Sequence, residues 1–276
     1  MRTELHFHLL PGVDDGPKDE AEAVELARLA VEDGTGRVVV TPHVRLADVE
    51  SLSRMTERLQ AALRRAAVDL ELQAGGELAP GDVASLEQEQ LELLAHGPAG
   101  ERWLLLEAPL FSGSRDLGSA AEELRDRGFG VLIGHPERSL ITPNSVIREQ
   151  VARGAVLQLN ASSLTGCHGG EARRRGLALA RSGMPFLLAS DAHSPARPPQ
   201  LTPAAVTLIA VGVNESVVRA AVDVLPEAVL SDGLAAARSG RPAAAHGGRS
   251  RLGQCERATS PVARPAQVLF DRHRGT

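Results

Sequence analysis

His6-Phe7-His8-Leu9-Leu10-Pro11-Gly12-Val13-Asp14-Asp15-Gly16 is the stretch from which the rest of the chain can be read. As a strand, Glu4 to Leu9 alternates with period two, which puts His6 and His8 on one face. Two imidazoles on one face make half a metal site; an exposed edge strand with paired histidines is the structural alternative. A turn at Pro11-Gly12 follows, and a second turn delivers the carboxylates of Asp14 and Asp15.

The same event recurs at one strand end after another. Arg37 to Thr41 reads as a buried strand closed by Pro42-His43. Asp69 to Gln73 is a short strand followed by Gly75-Gly76-Glu77, and Trp103 to Glu107 is followed by Ala108-Pro109. Gly130 to Gly134 runs into His135-Pro136-Glu137-Arg138, and Ala155 to Leu159 into Asn160-Ala161-Ser162-Ser163. Pro185 to Ala189 ends in Ser190-Asp191-Ala192-His193. Helical spacing fills the intervals. The first helix opens at Pro17 and closes at Gly34, and the second, Asp48 to Ala67, carries Leu52, Met55, Leu59 and Leu63 on one stripe. Others span 82–95, 119–127, 144–153 and 171–181, with three more segments between 204 and 237.

Seven apolar strands alternating with amphipathic helices predict a parallel sheet covered on both faces. For 276 residues a closed β/α barrel is the economical arrangement, with an open doubly wound sheet as runner-up. There is no Gly-x-Gly-x-x-Gly and no Gly-Lys-Ser/Thr loop to support a nucleotide-binding open sheet.

Composition narrows the function. Tyr is absent and aromatics are 2%, which argues against a base-stacking platform. Beyond Gly240 lie seven Arg against Glu256 and Asp271; without them the body holds 23 basic and 33 acidic residues. So acidic a body is a poor start for a nucleic-acid groove. Cys167 and Cys255 form no CxxC, and no apolar run approaches ~20 residues, so a cytoplasmic protein without membrane insertion is expected. Residues 241–276 lose apolar periodicity and read as a disordered basic tail behind a domain of residues 1–240.

In a β/α barrel, functional side chains come from the C-terminal ends of the strands. His6, His8, Asp15, His43, Glu77, Glu107, His135, Asp191 and His193 all fall at or just after such ends. One of them is unremarkable; nine together are costly unless cations neutralise the carboxylates and take the imidazole lone pairs. That number suggests two or three metal ions. Mixed imidazole and carboxylate donors without thiolate suit Mn, Fe or Zn. A cluster of this kind is suited to phosphoester hydrolysis.

His-x-His, a lone His, Glu at two strand ends, His and Asp-x-His together resemble the polymerase-and-histidinol-phosphatase (PHP) superfamily. More narrowly, five motifs resemble the CpsB/CapC-type bacterial protein-tyrosine phosphatases of capsule and exopolysaccharide synthesis. They are Leu10-Pro11-Gly12-Val13-Asp14-Asp15-Gly16-Pro17-Lys18, Thr41-Pro42-His43, His135-Pro136-Glu137-Arg138, Ser163-Leu164-Thr165-Gly166, and Ser190-Asp191-Ala192-His193 with Arg197-Pro198-Pro199. The resemblance spans residues 1 to about 238. It implies a distorted, TIM-like (β/α)7 barrel whose metal ligands are the nine residues above, with Mn the expected metal. Arg138 is the implied phosphate-binding arginine and Arg197 a second candidate. Of the Asp pair, Asp15 is the implied ligand and Asp14 shapes the turn. The implied substrate is phosphotyrosine on a bacterial tyrosine kinase.

Some residues depart from the pattern. Phe7 stands at a usually small position, Glu4 replaces Asp, Cys167 replaces a basic residue, and the segment after Glu77 is atypical, which makes Glu77 the weakest ligand. Cys167 and Arg173 have the spacing of a cysteine-phosphatase loop but lack its context. His96 and His168 read as surface residues. The rival functions are a histidinol-phosphate type small-molecule phosphatase, a PHP-type nuclease and a metal-binding module without catalysis.

Overall fold

The computed structural model describes residues 1–110 and 116–238. The predicted tail, 241–276, lies outside them. The eight strands are β1 (Arg2–Phe7), β2 (Thr35–Val40), β3 (Glu71–Ala74), β4 (Glu77–Leu78), β5 (Trp103–Glu107), β6 (Gly130–Gly134), β7 (Val156–Asn160) and β8 (Phe186–Ala189). Every pairing is parallel, in two sheets ordered β1-β2-β3 and β4-β5-β6-β7-β8. Sparse hydrogen bonds close the ring at both seams. Glu77 N donates to Pro42 O at 3.0 Å on one side; on the other, Asp191 N donates to His6 O at 3.1 Å and His8 N to Ala192 O at 3.0 Å. Seven strands were expected; β3 and β4 share one place in the ring, split by Gly75-Gly76. A Cβ at Gly75 would lie 2.8 Å from Val39 Cγ1, and one at Gly76 2.7 Å from Val44 Cγ2, so the backbone passes closer to its neighbours than any side chain allows.

β1 departs from simple alternation. Glu4 pairs with Val38 and Phe7 with Val40, so one extra residue sits in β1 as a bulge. The bulge lets Leu5 join Val39, Leu105, Leu132 and Leu187 in an inner core. His6 and His8 still face inward above it, while Phe7 turns outward into the main core against the helices. Phe7 is fully buried there, with its N–H donating to Thr41 Oγ1 at 2.9 Å.

The first eight α-helices cover the barrel: α1 (Glu20–Glu32), α2 (Leu52–Arg65), α3 (Gln88–Leu94), α4 (Leu117–Asp126), α5 (Asn144–Ala152), α6 (Ala161–Thr165), α7 (Gly169–Ala180) and α8 (Leu201–Ala210). Asp19 rather than Pro17 starts α1, accepting from Glu22 N at 2.9 Å. The helix expected over 82–95 is a 3₁₀ turn, Val83–Ser85, and then α3. Helix α6, where no helix was expected from the sequence, is capped by Asn160. Then α9 (Glu215–Arg219), a π-helical turn at Ala220–Val224, α10 (Leu225–Asp232) and α11 (Ala235–Arg238) complete the described chain. Val229, Leu230, Leu234 and Ala237 from α10 onward pack onto the inner core. Among the described residues no helix is long and apolar enough to cross a membrane.

His96, read as a surface residue, is buried: its backbone pairs with Trp103, and the two rings lie 5.1 Å apart. That pairing joins residues that local sequence pattern does not connect. Burial, aided by nearby Arg102, pulls its imidazole down to about 4. The ring is therefore neutral when folded, but in the unfolded chain it charges below about 6.5. Its contribution is complete above that pH and is lost as pH falls toward 4, about 3 kcal/mol in all. Urea titrations of wild type and His96→Phe between pH 7 and 4 should show a shallower acid loss in the variant; identical slopes would contradict this.

Candidate metal centre

The strand ends bring the donors together. β1 contributes His6, His8 follows its last residue directly, and the loop beyond supplies Asp15. His43 follows β2, Glu77 opens β4, Glu107 ends β5, His135 follows β6, and Asp191 and His193 follow β8. Four overlapping groups form, with donor atoms inside each group within 4.8 Å of one another. They are His8, Asp15, His43 and His193; His6, Glu77 and His135; His6, His8 and Asp191; and His43, Glu77 and Glu107. All nine residues singled out in the sequence are among them.

Glu77 is the hub. Its Oε1 lies 2.9 Å from His135 Nε2 and 3.4 Å from His6 Nε2, and its Oε2 lies 2.9 Å from His43 Nδ1 and 3.4 Å from His8 Nε2. The residue that sequence ranked weakest thus occupies the middle. Asp191 Oδ1 faces His6 and His8 Nε2, both at 3.4 Å. Asp15 is more open, with Oδ1 3.3 Å from His193 Nε2 and 3.5 Å from His43 Nε2. The His8 and His193 rings stack with centroids 3.8 Å apart.

Supporting residues aim these donors. Asp14 does more than shape the turn: its Oδ2 accepts from His8 Nδ1 at 2.6 Å and from His43 N at 3.0 Å, and its Oδ1 accepts from Gly16 N. Gln158 and Asn160 of β7, neither of them foreseen, contact His6 and Asp191. Two polar residues spaced by two in an otherwise apolar strand were the available signal. Fully buried Glu4 accepts from Thr35 Oγ1 and Ser190 N, and burial lifts its carboxyl to about 7. His135 and Asp191 hold positive φ, +30° and +50°, where non-glycine residues are strained.

The electrostatics ask for positive charge. Burial pulls His8 down, but Asp14 and Glu77 overcome it and lift the imidazole to about 10. His43 follows the same logic and reaches about 9 beside Asp15 and Glu77. Burial raises Glu107, helped by the charge on Glu77. Glu77 Oε2, Asp191 Oδ1, His43 Nδ1 and His135 Nδ1 are buried without a hydrogen-bond partner. The 2.9 Å approach of His43 Nδ1 to Glu77 Oε2 is close yet not aligned as a hydrogen bond. Each unmatched buried group costs about 1–3 kcal/mol. Cations taking these oxygens and lone pairs would remove that cost, so the donor set fits metal ions of the imidazole and carboxylate class.

A cleft of about 560 Å³ opens over the cluster, with Arg45, Arg138 and Arg197 in its wall. Arg138 Nη1 donates to Asp191 Oδ2 at 2.7 Å, and Arg197 Nη1 stands 3.7 Å from Asp15 Oδ2. Arg45, unforeseen in sequence, sits on the turn directly after His43. Cys167 is exposed and does not line the cleft, and Arg173 Nε donates to Leu164 O. The residues of the cysteine-phosphatase spacing therefore assemble no second site. His168 is half-buried, its Nδ1 3.1 Å from Ser163 Oγ.

The family described as "Capsular polysaccharide synthesis, CpsB/CapC" matches residues 2–230. The chain belongs to the CpsB/CapC family. Within that family it is 30% identical over 200 residues to CapC of Staphylococcus aureus, covering 70% of this chain and 77% of CapC. It is 28% identical over 197 residues to the tyrosine-protein phosphatase YwqE of Bacillus subtilis (strain 168), covering 69% and 77%. A crystal structure from work on YwqE and on CpsB of Streptococcus pneumoniae, described as metal-dependent tyrosine phosphatases, superposes with a TM-score of 0.69. Identity there is 25%, over 79% of this chain and 90% of that one. A phosphotriesterase homology protein of Escherichia coli, with phosphate in its active site, shares the fold alone: TM-score 0.56, 14% identity, 80% of this chain and 95% of that one.

Metal binding by the CpsB/CapC cluster should be visible as stability. Mn²⁺ at about 100 times its Kd should add about 2.7 kcal/mol, raising the melting temperature by roughly 5–10 °C at this size. Glu77→Ala should lose the shift in differential scanning calorimetry; a variant that keeps the full shift would remove Glu77 from the centre.

Proposed function

We propose that the chain is a metal-dependent protein-tyrosine phosphatase acting in capsular or exopolysaccharide synthesis, with phosphotyrosine on a bacterial tyrosine kinase as substrate. The observation that carries this reading is the junction of Arg138 with Asp191, where a guanidinium in the cleft wall meets the floor of the donor cluster. Family membership and the metal-dependent tyrosine phosphatases among the similar structures support it. We assign His6, His8, Asp15, His43, Glu77, Glu107, His135, Asp191 and His193 as ligands of two or three metal ions. Mn is favoured, with Fe or Zn as alternatives. The exposed thiol of Cys167 suits a reducing, cytoplasmic setting, and residues 1–240 act as the catalytic domain.

Bound cations supply Lewis acidity, activating a water as nucleophile and neutralising charge on the phosphoryl group. The chain's own residues do the rest. Arg138 keeps one nitrogen on Asp191 and offers its remaining donors to phosphoryl oxygens in forked geometry. Arg197, more exposed, stands on the Asp15 side as a second such donor. Both guanidinium charges stabilise negative charge on the equatorial oxygens as the phosphoryl group transfers. The departing phenolate has a parent pKa of ~10 and needs little help from a general acid.

The test is hydrolysis of a phosphotyrosine peptide by the chain stripped with chelator and reloaded with Mn²⁺. Chelation should abolish turnover and Mn²⁺ restore it. Arg138→Ala should lower kcat/KM by about 10²–10³-fold. Full activity after chelation, or faster turnover of histidinol phosphate than of the peptide, would overturn the assignment.

A further inference from the structure

β7 is exceptional among the strands of the ring. Each other position in it sends at least one of the nine donors to the cluster, from a strand end or the segment just after it; β7 sends none. Its inward positions carry two buried amides instead. Gln158 Oε1 is 2.9 Å from His6 Nδ1 and 3.1 Å from the backbone N of His135. A backbone N–H can only donate, so the atom facing both groups must be the carbonyl oxygen of the amide. That acceptor places the proton of His6 on Nδ1. The Nε2 lone pair is then turned into the cluster, with His8 Nε2 3.3 Å away and Glu77 and Asp191 each 3.4 Å away.

Asn160 does the complementary work on a carboxylate. Its Nδ2 donates to Asp191 Oδ2 at 2.7 Å, beside the 2.7 Å bond from Arg138. Oδ2 is thereby doubly satisfied, and Oδ1 is left without a hydrogen-bond partner facing His6 and His8. Asn160 is itself fixed, its Oδ1 accepting from Ser162 N at 2.8 Å and its backbone N donating to Glu137 Oε1 at 3.2 Å.

We infer that Gln158 and Asn160 are positioning residues that set the ligating state of the cluster before metal arrives: Gln158 selects the tautomer of His6, and Asn160 confines Asp191 to one coordinating oxygen. The inference rests on the metal-centre reading given above. It predicts that affinity for metal depends on a strand that touches no metal, since such outer partners typically carry 10–100-fold in affinity. Gln158→Leu removes the acceptor; Gln158→Glu keeps the shape and both acceptor contacts.

The first measurement needs no variant. ¹⁵N chemical shifts of the histidine rings in the Zn²⁺-loaded full chain, with His6 assigned by loss of its signals in His6→Gln, should show His6 protonated on Nδ1. Protonation on Nε2 overturns the proposal outright. The second is Mn²⁺ affinity by chelator competition. Gln158→Leu should bind about 10–100-fold more weakly than wild type, with Gln158→Glu much nearer to wild type and both variants matching its circular dichroism. Wild-type affinity in Gln158→Leu, or equal losses in both variants, would make Gln158 merely structural and sink the inference. Neither readout involves phosphotyrosine turnover, so the phosphatase assignment stands or falls separately.

Discussion

A carboxylate sealed from water calls for positive charge, and Glu77 is faced by imidazoles from four directions at once. Its two oxygens are approached within 3.4 Å by the imidazoles of His6, His8, His43 and His135, which come from three different places in the ring. No local element could assemble that arrangement. It exists because the barrel seam brings the end of β2 beside the start of β4, and because Gly75-Gly76 lets the chain pass through a gap too narrow for side chains. The distortion of the ring and the construction of the centre are one event. The strand that breaks is the strand that delivers the hub.

Much of this was legible in the sequence, for a simple reason. Metal donors are chemically distinctive, and parallel strands bring their C-terminal ends to one rim. Reading which His, Asp and Glu follow apolar runs was therefore enough to collect all nine residues that the structure draws together. The strands Trp103–Glu107 and Gly130–Gly134 were bounded as found, because continuous apolar runs between turn residues leave little choice. Less legible was anything that depends on what a residue touches across the fold. His96 lies among acidic and leucine residues that read as helix surface, yet its burial is decided by Trp103. Nothing in the sequence pattern gave Gln158 or Asn160 a role; only their distances to His6 and Asp191 do. Asp14 looked like half of a turn, and its bonds to His8 and His43 are contacts no spacing rule supplies.

The site also shows how unfavourable local features are held in place. His135 and Asp191 adopt backbone conformations that cost of order 1–3 kcal/mol each. Both are clamped by hydrogen bonds on either side. His135 N is bound by Gln158, and Asp191 is bound through its backbone to His6 and through its side chain to Arg138 and Asn160. Strain tolerated at two donors is offset by a network that leaves neither free to relax.

The single extra residue in β1 has a wider meaning. It lets one strand change which parity of its side chains looks inward midway along its length, greasy below and ligating above. Hydrophobic packing and coordination chemistry are thereby phased independently between Leu5 and His8. The lower half can drift in sequence to suit the inner core without dragging the imidazoles off the rim. Removing that one residue would instead carry the histidine pair to the outer wall against the helices, and the barrel could persist with its chemistry turned inside out.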